Sequence, residues 1–577
     1  MRPETWRSPG RLLALNIALA GGLLLGMAAI MWQQPLVADD WDFYLAIVDW
    51  QHSRQLIPHP QTYNHLVQLS LAILGVSPQN ARVVGVLSGL LNLALIPVLV
   101  RQFFGHEDKT KWVTVAIAAI WLYTLNPLTA QNMMMLDIDN TLLTPALCAM
   151  LWLWKRIQDA TPIRRTVALG LAFAAALWIK IPTPILLMGC IGLFHLLRGQ
   201  FKRAGEIALA AAGGAALFRA SFELYGMLTG YTWAMLGGTF AKAPRSASAI
   251  PAMLQRFPQG MGVLILWLSL PLTALLIVLS FETLVRLVKR RLQAHDLLVV
   301  YVAVTALVYM LILAPAWGYP KYHTPLTPII VILAARLLAP AFQALPKRAW
   351  WLVAGLGLGL FVYKLAIIGD GFYPLYQVTF ETDVGDLALR LSRGLRVGAG
   401  LALPILAALA AAYVAALRWK IAPALMIVAT LGALSAGDMA STSAVQVPAD
   451  YSTRYRYTYD YRDLRQTVAD LQAAGGGYIL AVMDVLYYEG LSGERIYTYV
   501  CPGCKPQRLI DALQSRRIDA LVWTSKEDNR SPGVVRDPVL VEMLNKCYNR
   551  STHGVFILYL RKSECLYGTQ INTDLTD

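Results

Sequence analysis

Charge is scarce in this sequence. Only 15% of its 577 residues are Asp, Glu, Lys or Arg, while 56% are hydrophobic. That leaves too little polar surface to clothe the three or four soluble domains that the length alone would suggest. The same figures exclude a disordered chain, a collagen-like repeat and a disulfide-rich miniature. No Gly-rich phosphate loop, Walker sequence or GxSxG nucleophile elbow occurs, and Gly475-Gly476-Gly477 precedes a strand-like run and reads as a turn. Nor is there an internal repeat of the kind many transporters carry. What remains is a polytopic helical membrane protein.

A spanning helix needs about 20 mostly apolar residues. The apolar runs predict thirteen spans, at 11–31, 82–103, 112–127, 140–154, 166–179, 184–197, 204–226, 260–285, 297–315, 324–341, 349–368, 397–417 and 421–437. The pair 166–179 and 184–197 is short and is split at Pro182 and Pro184. The first span is too long for a removed signal peptide and lacks a small-residue cleavage site, so it reads as an anchor. Its net charge of +15 sits wholly in residues 1–440, because Lys+Arg and Asp+Glu balance in residues 441–577. With the N-terminus inside, 22 Lys and Arg fall in inner loops against ten in outer ones. Lys and Arg are retained on the cytoplasmic side of short loops, so topology accounts for the basic excess and nucleic-acid binding is not called for. An odd span number then places the tail outside.

Four cysteines lie in that tail, Cys501, Cys504, Cys547 and Cys565, and two lie in spans, Cys148 and Cys190. In an outside-facing segment the simplest reading is two disulfides, such as 501–504 and 547–565. A zinc site or a redox-active Cys-Pro-Gly-Cys are the rivals, and no suitably spaced His or second CxxC supports them. Strand-like runs at 478–483, 496–500, 518–524 and 555–560 alternate with helical spacing at Leu464/Val468/Leu471 and Leu509/Ile510/Leu513. The tail therefore reads as a small extracytoplasmic α/β domain over 441–577, joined to the membrane module 1–440 by the Tyr-rich stretch 451–461.

Polar residues concentrate at the outer face. The first outer loop, 32–81, opens with Ala38-Asp39-Asp40-Trp41-Asp42-Phe43-Tyr44, three carboxylates in four positions at a membrane boundary. They repel one another and are costly to desolvate. They either cap a helix starting near Phe43 or provide a general base, a metal ligand or both. The second outer loop holds Asp139, either an N-cap or a second site acid. Outer cations run against the positive-inside bias. Lys180 ends a span, Lys321-Tyr322-His323 opens another, and Lys242, Arg245 and Arg256 crowd the loop 227–259. Each could snorkel to lipid phosphates, or together they could hold an anionic ligand. A carboxylate can take a proton from a hydroxyl nucleophile, and cations can stabilise a departing phosphate. That chemistry fits glycosyl transfer from a lipid-linked phosphosugar.

The motifs carrying these residues resemble the GT-C glycosyltransferases, in the branch of protein O-mannosyltransferases and bacterial aminoarabinose and galacturonosyl transferases. Asp39-Asp40-Trp41-Asp42-Phe43-Tyr44 is similar to that family's first-loop acidic motif. His59-Pro60-Gln61-Thr62-Tyr63 resembles its Pro-Pro-x-Tyr element, with Gln61 for the second Pro. Leu74-Gly75 with Ala81-Arg82, and Asp139-Asn140-Thr141-Leu142-Leu143-Thr144, match further elements. Leu177-Trp178-Ile179-Lys180 resembles a motif that usually continues into Gly, here Ile181. Lys321-Tyr322-His323-Thr324-Pro325-Leu326-Thr327-Pro328 resembles the opening of a late span, with Lys for Arg. Together these cover about residues 10–340 in order.

The resemblance implies a GT-C fold, a polyprenyl-phosphate sugar donor and transfer to a lipid, glycan or protein acceptor. It implies Asp40 as general base and Asp139 as second catalytic acid, with register among Asp39, Asp40 and Asp42 open. Lys180 and Lys321 become candidates for donor-phosphate contact. Asp39, Asp42, Tyr44, His59, Tyr63, Lys242, Arg245 and Tyr322 complete the substrate-binding set. No cofactor is demanded, and a divalent metal on Asp40 and Asp139 stays open. The expected location is a bacterial inner membrane with the N-terminus cytoplasmic. Rival classes are a flippase of lipid-linked sugars, which predicts deep intramembrane charges, and a sensor acting through its tail. Mid-span charges are few, chiefly Arg219, Glu223 and Lys364.

Overall fold

The architecture was obtained as a computed structural model. It describes residues 9–32, 44, 47, 59–105, 111–136, 138, 142–236, 270–313, 322–343, 461–474, 478–481, 496–498, 510, 511, 513, 518–524, 537–554 and 556–565. The expected spans at 349–368, 397–417 and 421–437 lie outside these residues, as do Cys501 and Cys504.

The helical part begins with α1 (Pro9–Met31), α2 (Thr62–Leu74), α3 (Pro78–Ala81), α4 (Val83–Phe104), α5 (Lys111–Leu125), α6 (Pro127–Met134) and α7 (Leu143–Arg156). It continues with α8 (Pro162–Leu177), α9 (Pro182–Leu197), α10 (Phe201–Thr229), α11 (Leu270–Val288), α12 (Asp296–Val308) and α13 (Thr327–Gln343). Ten of the predicted spans thus coincide with helices. Among the described residues, Gln79–Phe104 and Phe201–Thr229 are long and apolar enough to cross a bilayer alone. The break expected between 179 and 184 is real. Pro182 occupies the first turn of α9, where its missing N–H costs nothing.

Packing follows from small residues and buried ties. α8 and α10 approach closely because Gly170 and Gly214 face one another. A Cβ on Gly170 would lie 3.1 Å from the Ala210 carbonyl oxygen. The Leu74-Gly75 pair has a backbone reason, since Gly75 sits at φ +94° and Asn80 Nδ2 donates to the carbonyls of Leu74 and Gly75, 2.8 Å each. Arg82 is buried and its Nη1 donates to the Trp32 carbonyl at 3.0 Å, pinning the end of α1 to the start of α4.

At the bundle end where α11 finishes and α12 starts, Asp296 is fully buried. Its carboxylate accepts from Arg286 Nε and Thr283 Oγ1, both at 2.9 Å, and from the Gln293 N–H at 2.7 Å. Beside it, burial and then the Arg336 guanidinium hold the His295 imidazole down at about 4, so it is neutral.

The tail forms α14 (Tyr461–Ala473), β1 (Tyr478–Ala481), β2 (Ile496–Thr498), β3 (Ile518–Thr524), α15 (Pro538–Cys547), β4 (Tyr548–His553) and β5 (Phe556–Arg561). The sheet order is β2-β1-β3-β5-β4, with β1 parallel to β2 and β3, and β5 antiparallel to β3 and β4. Four of the five strands match the predicted runs. β4 went unseen because its sequence, YNRSTH, has no apolar alternation. α15 was missed although Asp537 caps it, accepting from the N–H groups of Val539 and Leu540 at 3.0 and 3.1 Å, ahead of Pro538. Cys547 and Cys565 form a disulfide, as expected.

Asp296→Ala should destabilise the helical part by about 3–5 kcal/mol, because it strands Arg286 without its buried partner. Thermal unfolding of purified protein in detergent checks this, and an unchanged midpoint would show the tie to be idle.

Candidate functional site

Two chain breaks meet at the other end of the bundle. The first is the turn Trp178–Ile181 between α8 and α9. The second lies between α12, which runs into a π-helical turn at Tyr309–Leu313, and α13, which Tyr322 and the 3-10 turn Thr324–Leu326 precede. π-helical turns aim side chains off the regular helical register and are common at functional sites.

Lys180 is 3% exposed, and its Nζ lies 4.4 Å from the centroid of the Tyr322 ring. Tyr322 in turn stacks on Tyr309, with centroids 5.0 Å apart and planes 4° from parallel. The Tyr309 hydroxyl shares a 2.6 Å hydrogen bond with Thr183 Oγ1 in the first turn of α9. The loop is closed: Lys180 and Thr183 from one break clasp Tyr322 and Tyr309 from the other. His323 lies edge-on to Tyr309 at 6.1 Å. Ile181, where the family's motif has Gly, stands at φ −83° and ψ −52°, a conformation open to any L-residue.

An aromatic wall extends from this turn. Trp178 packs against Phe218, Phe222 and Tyr225 of α10 at 5.6, 5.7 and 5.4 Å, and its Nε1 donates to Ser221 Oγ at 2.9 Å. The first-loop region joins the same wall. His65 Nε2 and the Tyr225 hydroxyl are 2.8 Å apart, and the Tyr231 hydroxyl donates to the His59 carbonyl at 3.2 Å. Gln61 Nε2 also donates to the His59 carbonyl, at 2.7 Å, and Gln68 Nε2 donates to the Ile47 carbonyl at 3.1 Å. Tyr44 and Tyr63 are fully buried. On the Asp139 side, the Leu143 N–H donates to the Ile138 carbonyl at 3.3 Å, and α7 packs on the Thr324–Leu326 turn.

Of the residues nominated from sequence, the structure brings Lys180 and Tyr322 into contact and ties His59 to the same wall through Tyr231 and Tyr225. Asp39, Asp40, Asp42, Asp139, Lys242, Arg245 and Lys321 lie outside the described residues. Among the described residues no group of three His, Cys, Asp or Glu is placed to hold a metal. Thr183, Tyr309, Tyr225 and Tyr231 were not nominated. Tyr309 carries no signal because its span reads as uniformly apolar, and the π-helical register is invisible in sequence. A shallow crevice at the far end is lined by Trp154, Gln158, Arg165, His195, Arg203 and Glu206. There Arg165 pairs with Glu206 at 2.8 Å and also donates to the carbonyls of Gln158 and Ala160, so its charge closes helix ends.

The fold is the polytopic helical one of the ArnT structures described next. Residues 58–222 match the family model of dolichyl-phosphate-mannose-protein mannosyltransferases. Over nearly its whole length the chain is similar to the crystal structure of ArnT from Cupriavidus metallidurans bound to undecaprenyl phosphate. The TM-score is 0.60 and the identity 15%, covering 96% of this chain and 98% of that one. The apo state of the same protein gives a TM-score of 0.55 and 14% identity, covering 94% and 98%. No curated protein matches this chain in sequence.

Tyr322→Leu should cost about 2 kcal/mol of stability by withdrawing the ring from a desolvated ammonium, whereas Tyr322→Phe should cost well under 1 kcal/mol since the ring face remains. Tyr309→Phe should cost about 1 kcal/mol through its lost hydrogen bond to Thr183. Thermal unfolding of the three variants in detergent ranks them; equal midpoints for Leu and Phe at 322 would deny the ring any role.

Proposed function

We propose that this protein is a membrane glycosyltransferase that moves one sugar from a polyprenyl-phosphate carrier to a hydroxyl of an extracytoplasmic acceptor. The observation that carries the reading is the buried Lys180, held over Tyr322 in a fold that accommodates undecaprenyl phosphate in ArnT. An aromatic face attracts the ammonium and fixes its place, so the cation is positioned in advance for an anionic group such as a phosphate.

The reaction is a single displacement that inverts the anomeric carbon. Asp40 takes the proton of the acceptor hydroxyl as its oxygen bonds to that carbon. The carbon–oxygen bond to the lipid phosphate breaks, and the electron pair leaves with the phosphate. Lys180, Lys321, Lys242 and Arg245 offset the charge that accumulates there. Asp139 is the second acid, orienting the acceptor or sharing a divalent metal with Asp40. Asp39, Asp42, Tyr44, His59, Tyr63 and Tyr322 shape the substrate surface. Tyr44 and Tyr63 are completely buried and act from behind that surface, and the assignment of His59 draws support from its link to the aromatic wall.

In this reading residues 1–440 form a thirteen-span module and residues 441–577 an extracytoplasmic domain. The N-terminus faces the cytoplasm of a bacterial cell and the module lies in the inner membrane. The charge asymmetry of the loops supports the orientation. The Cys547–Cys565 disulfide supports an oxidising surround for the tail.

Asp40→Asn should lower transfer by roughly 10²–10⁴-fold with membrane yield unchanged, the range for loss of a general base. Mass spectrometry of envelope lipids and glycans from cells with and without the gene identifies the product. The same readout for Asp40→Asn should match the deletion, and full activity in that variant would remove the mechanism.

A further inference from the structure

At the bundle end away from Lys180, two turns are tied to each other. One lies between α7, ending at Arg156, and α8, starting at Pro162; the other lies between α9, ending at Leu197, and α10, starting at Phe201. Arg165 on α8 pairs with Glu206 on α10 at 2.8 Å, and Arg203 on α10 donates to the carbonyl and Oε1 of Gln158 at 2.9 and 3.0 Å. Residues 155–165 and 195–206 hold seven Lys and Arg against two acids, Asp159 and Glu206. Of these cations Arg156, Arg164, Arg198 and Lys202 are exposed, and among the described residues none of the four is in an ion pair.

Retention of basic residues on one side of the membrane accounts for their sign and number but not for their arrangement. Arg164 and Lys202 stand in the first turns of α8 and α10, which carry no acid, although a helix dipole favours acids there. They do nothing for the helices that bear them. Arg156 and Arg198 are held in place, their guanidiniums 5.9 Å from the Trp152 ring and 5.4 Å from the Phe194 ring, one turn back on the same helices. A ring takes up one face of a guanidinium and leaves N–H groups at its edge for an anion. Exposed apolar side chains alternate with these cations. Ile163 precedes Arg164, Leu197 precedes Arg198 and Phe201 precedes Lys202, with Ile163 77% and Phe201 73% exposed.

We propose that the two joined turns bind an anionic phospholipid, its headgroup held by Arg156, Arg164, Arg198 and Lys202 and its acyl chains beside Ile163, Leu197 and Phe201. The alternation of charge and apolar surface selects the occupant. A dissolved anion would meet the cations and leave Ile163 and Phe201 in water. An apolar partner helix would cover those two and leave the cations without a counter-charge. A lipid satisfies both, because headgroup and acyl chain meet at the depth where cation and apolar side chain alternate. A zwitterionic head brings its own ammonium and loses the net attraction. Two basic turns fixed side by side suit a headgroup with two phosphates, which makes cardiolipin the probe. The site is remote from the Lys180 turn and does not rest on the transferase reading.

The test uses the full chain, stripped of lipid in detergent and titrated with cardiolipin or phosphatidylethanolamine by native mass spectrometry. Cardiolipin should bind the parent about tenfold or more tightly than phosphatidylethanolamine, since each cation beside an anionic headgroup contributes about fivefold. Arg164→Gln and Lys202→Gln, exposed and with no partner to lose, should each weaken cardiolipin binding about fivefold. Arg156→Gln together with Arg198→Gln should weaken it roughly 25-fold. Lys289→Gln together with Arg291→Gln removes two exposed cations from the α11–α12 turn at the same end and should bind cardiolipin like the parent. Unfolding midpoints of the lipid-free variants, equal to the parent's, verify their folds. Equal affinity of the parent for the two lipids would overturn the proposal. So would a Lys289 and Arg291 variant that falls as far as the others, which is the mark of diffuse attraction, or inorganic phosphate that displaces the lipid at equal concentration.

Discussion

A lysine placed out of water beneath a tyrosine ring is the constraint on which the rest of this structure turns. An ammonium so buried is tolerable only where a partner is fixed before it arrives, because desolvation is otherwise prohibitive. The chain meets that demand with rigid parts. Pro182 starts α9 immediately after Lys180 and limits the turn, and Thr183 holds the Tyr309 hydroxyl. Tyr309 then braces Tyr322 by parallel stacking. Two interruptions of the helical bundle, whose Thr183 and Tyr309 are 126 residues apart in sequence, exist at the same height because each supplies half of this clasp.

Glycine sets where the clasp's flank falls. The close approach of Gly170 and Gly214 brings α8 against α10, and two turns further along Trp178 lands on Phe218, Phe222 and Tyr225. A bulkier residue at either glycine would push the helices apart by more than the aromatic contacts can follow. The first-loop residues His59 and His65 depend on the same contact, since their partners Tyr231 and Tyr225 are on or just beyond α10. Packing at the middle of the bundle thereby determines which side chains face the site at its end.

Much of this was legible in the residues, and the reasons are physical. Apolar runs of adequate length give helices whatever their neighbours do, so ten of the helices fall where the hydrophobicity puts them, whereas α2, α3 and α6 correspond to no predicted span. Lys180 and Tyr322 were visible because a cation at that boundary runs against the distribution of the other loops. Thr183 was not, since a threonine hydroxyl within a helix can always bond its own backbone and so advertises nothing, and Tyr309 was not, because the π-helical register that aims it is invisible in sequence. β4 was hidden for the opposite reason: an edge strand needs no apolar face. Ile181 shows a further limit, because a motif's glycine can be lost when the backbone there has ordinary dihedrals.

The two ends of the bundle use charge differently, and this difference argues for where chemistry belongs. At the end holding Arg165 and Asp296, cations meet carboxylates and helix-end carbonyls, and their charge is cancelled in tying helices together. At the Lys180 end the cation rests on a π face, which fixes its position between the two turns. A protein with so few charges spends a buried cation at such a turn for a reason, and recognition of an anionic group is the one that the proposed reaction supplies.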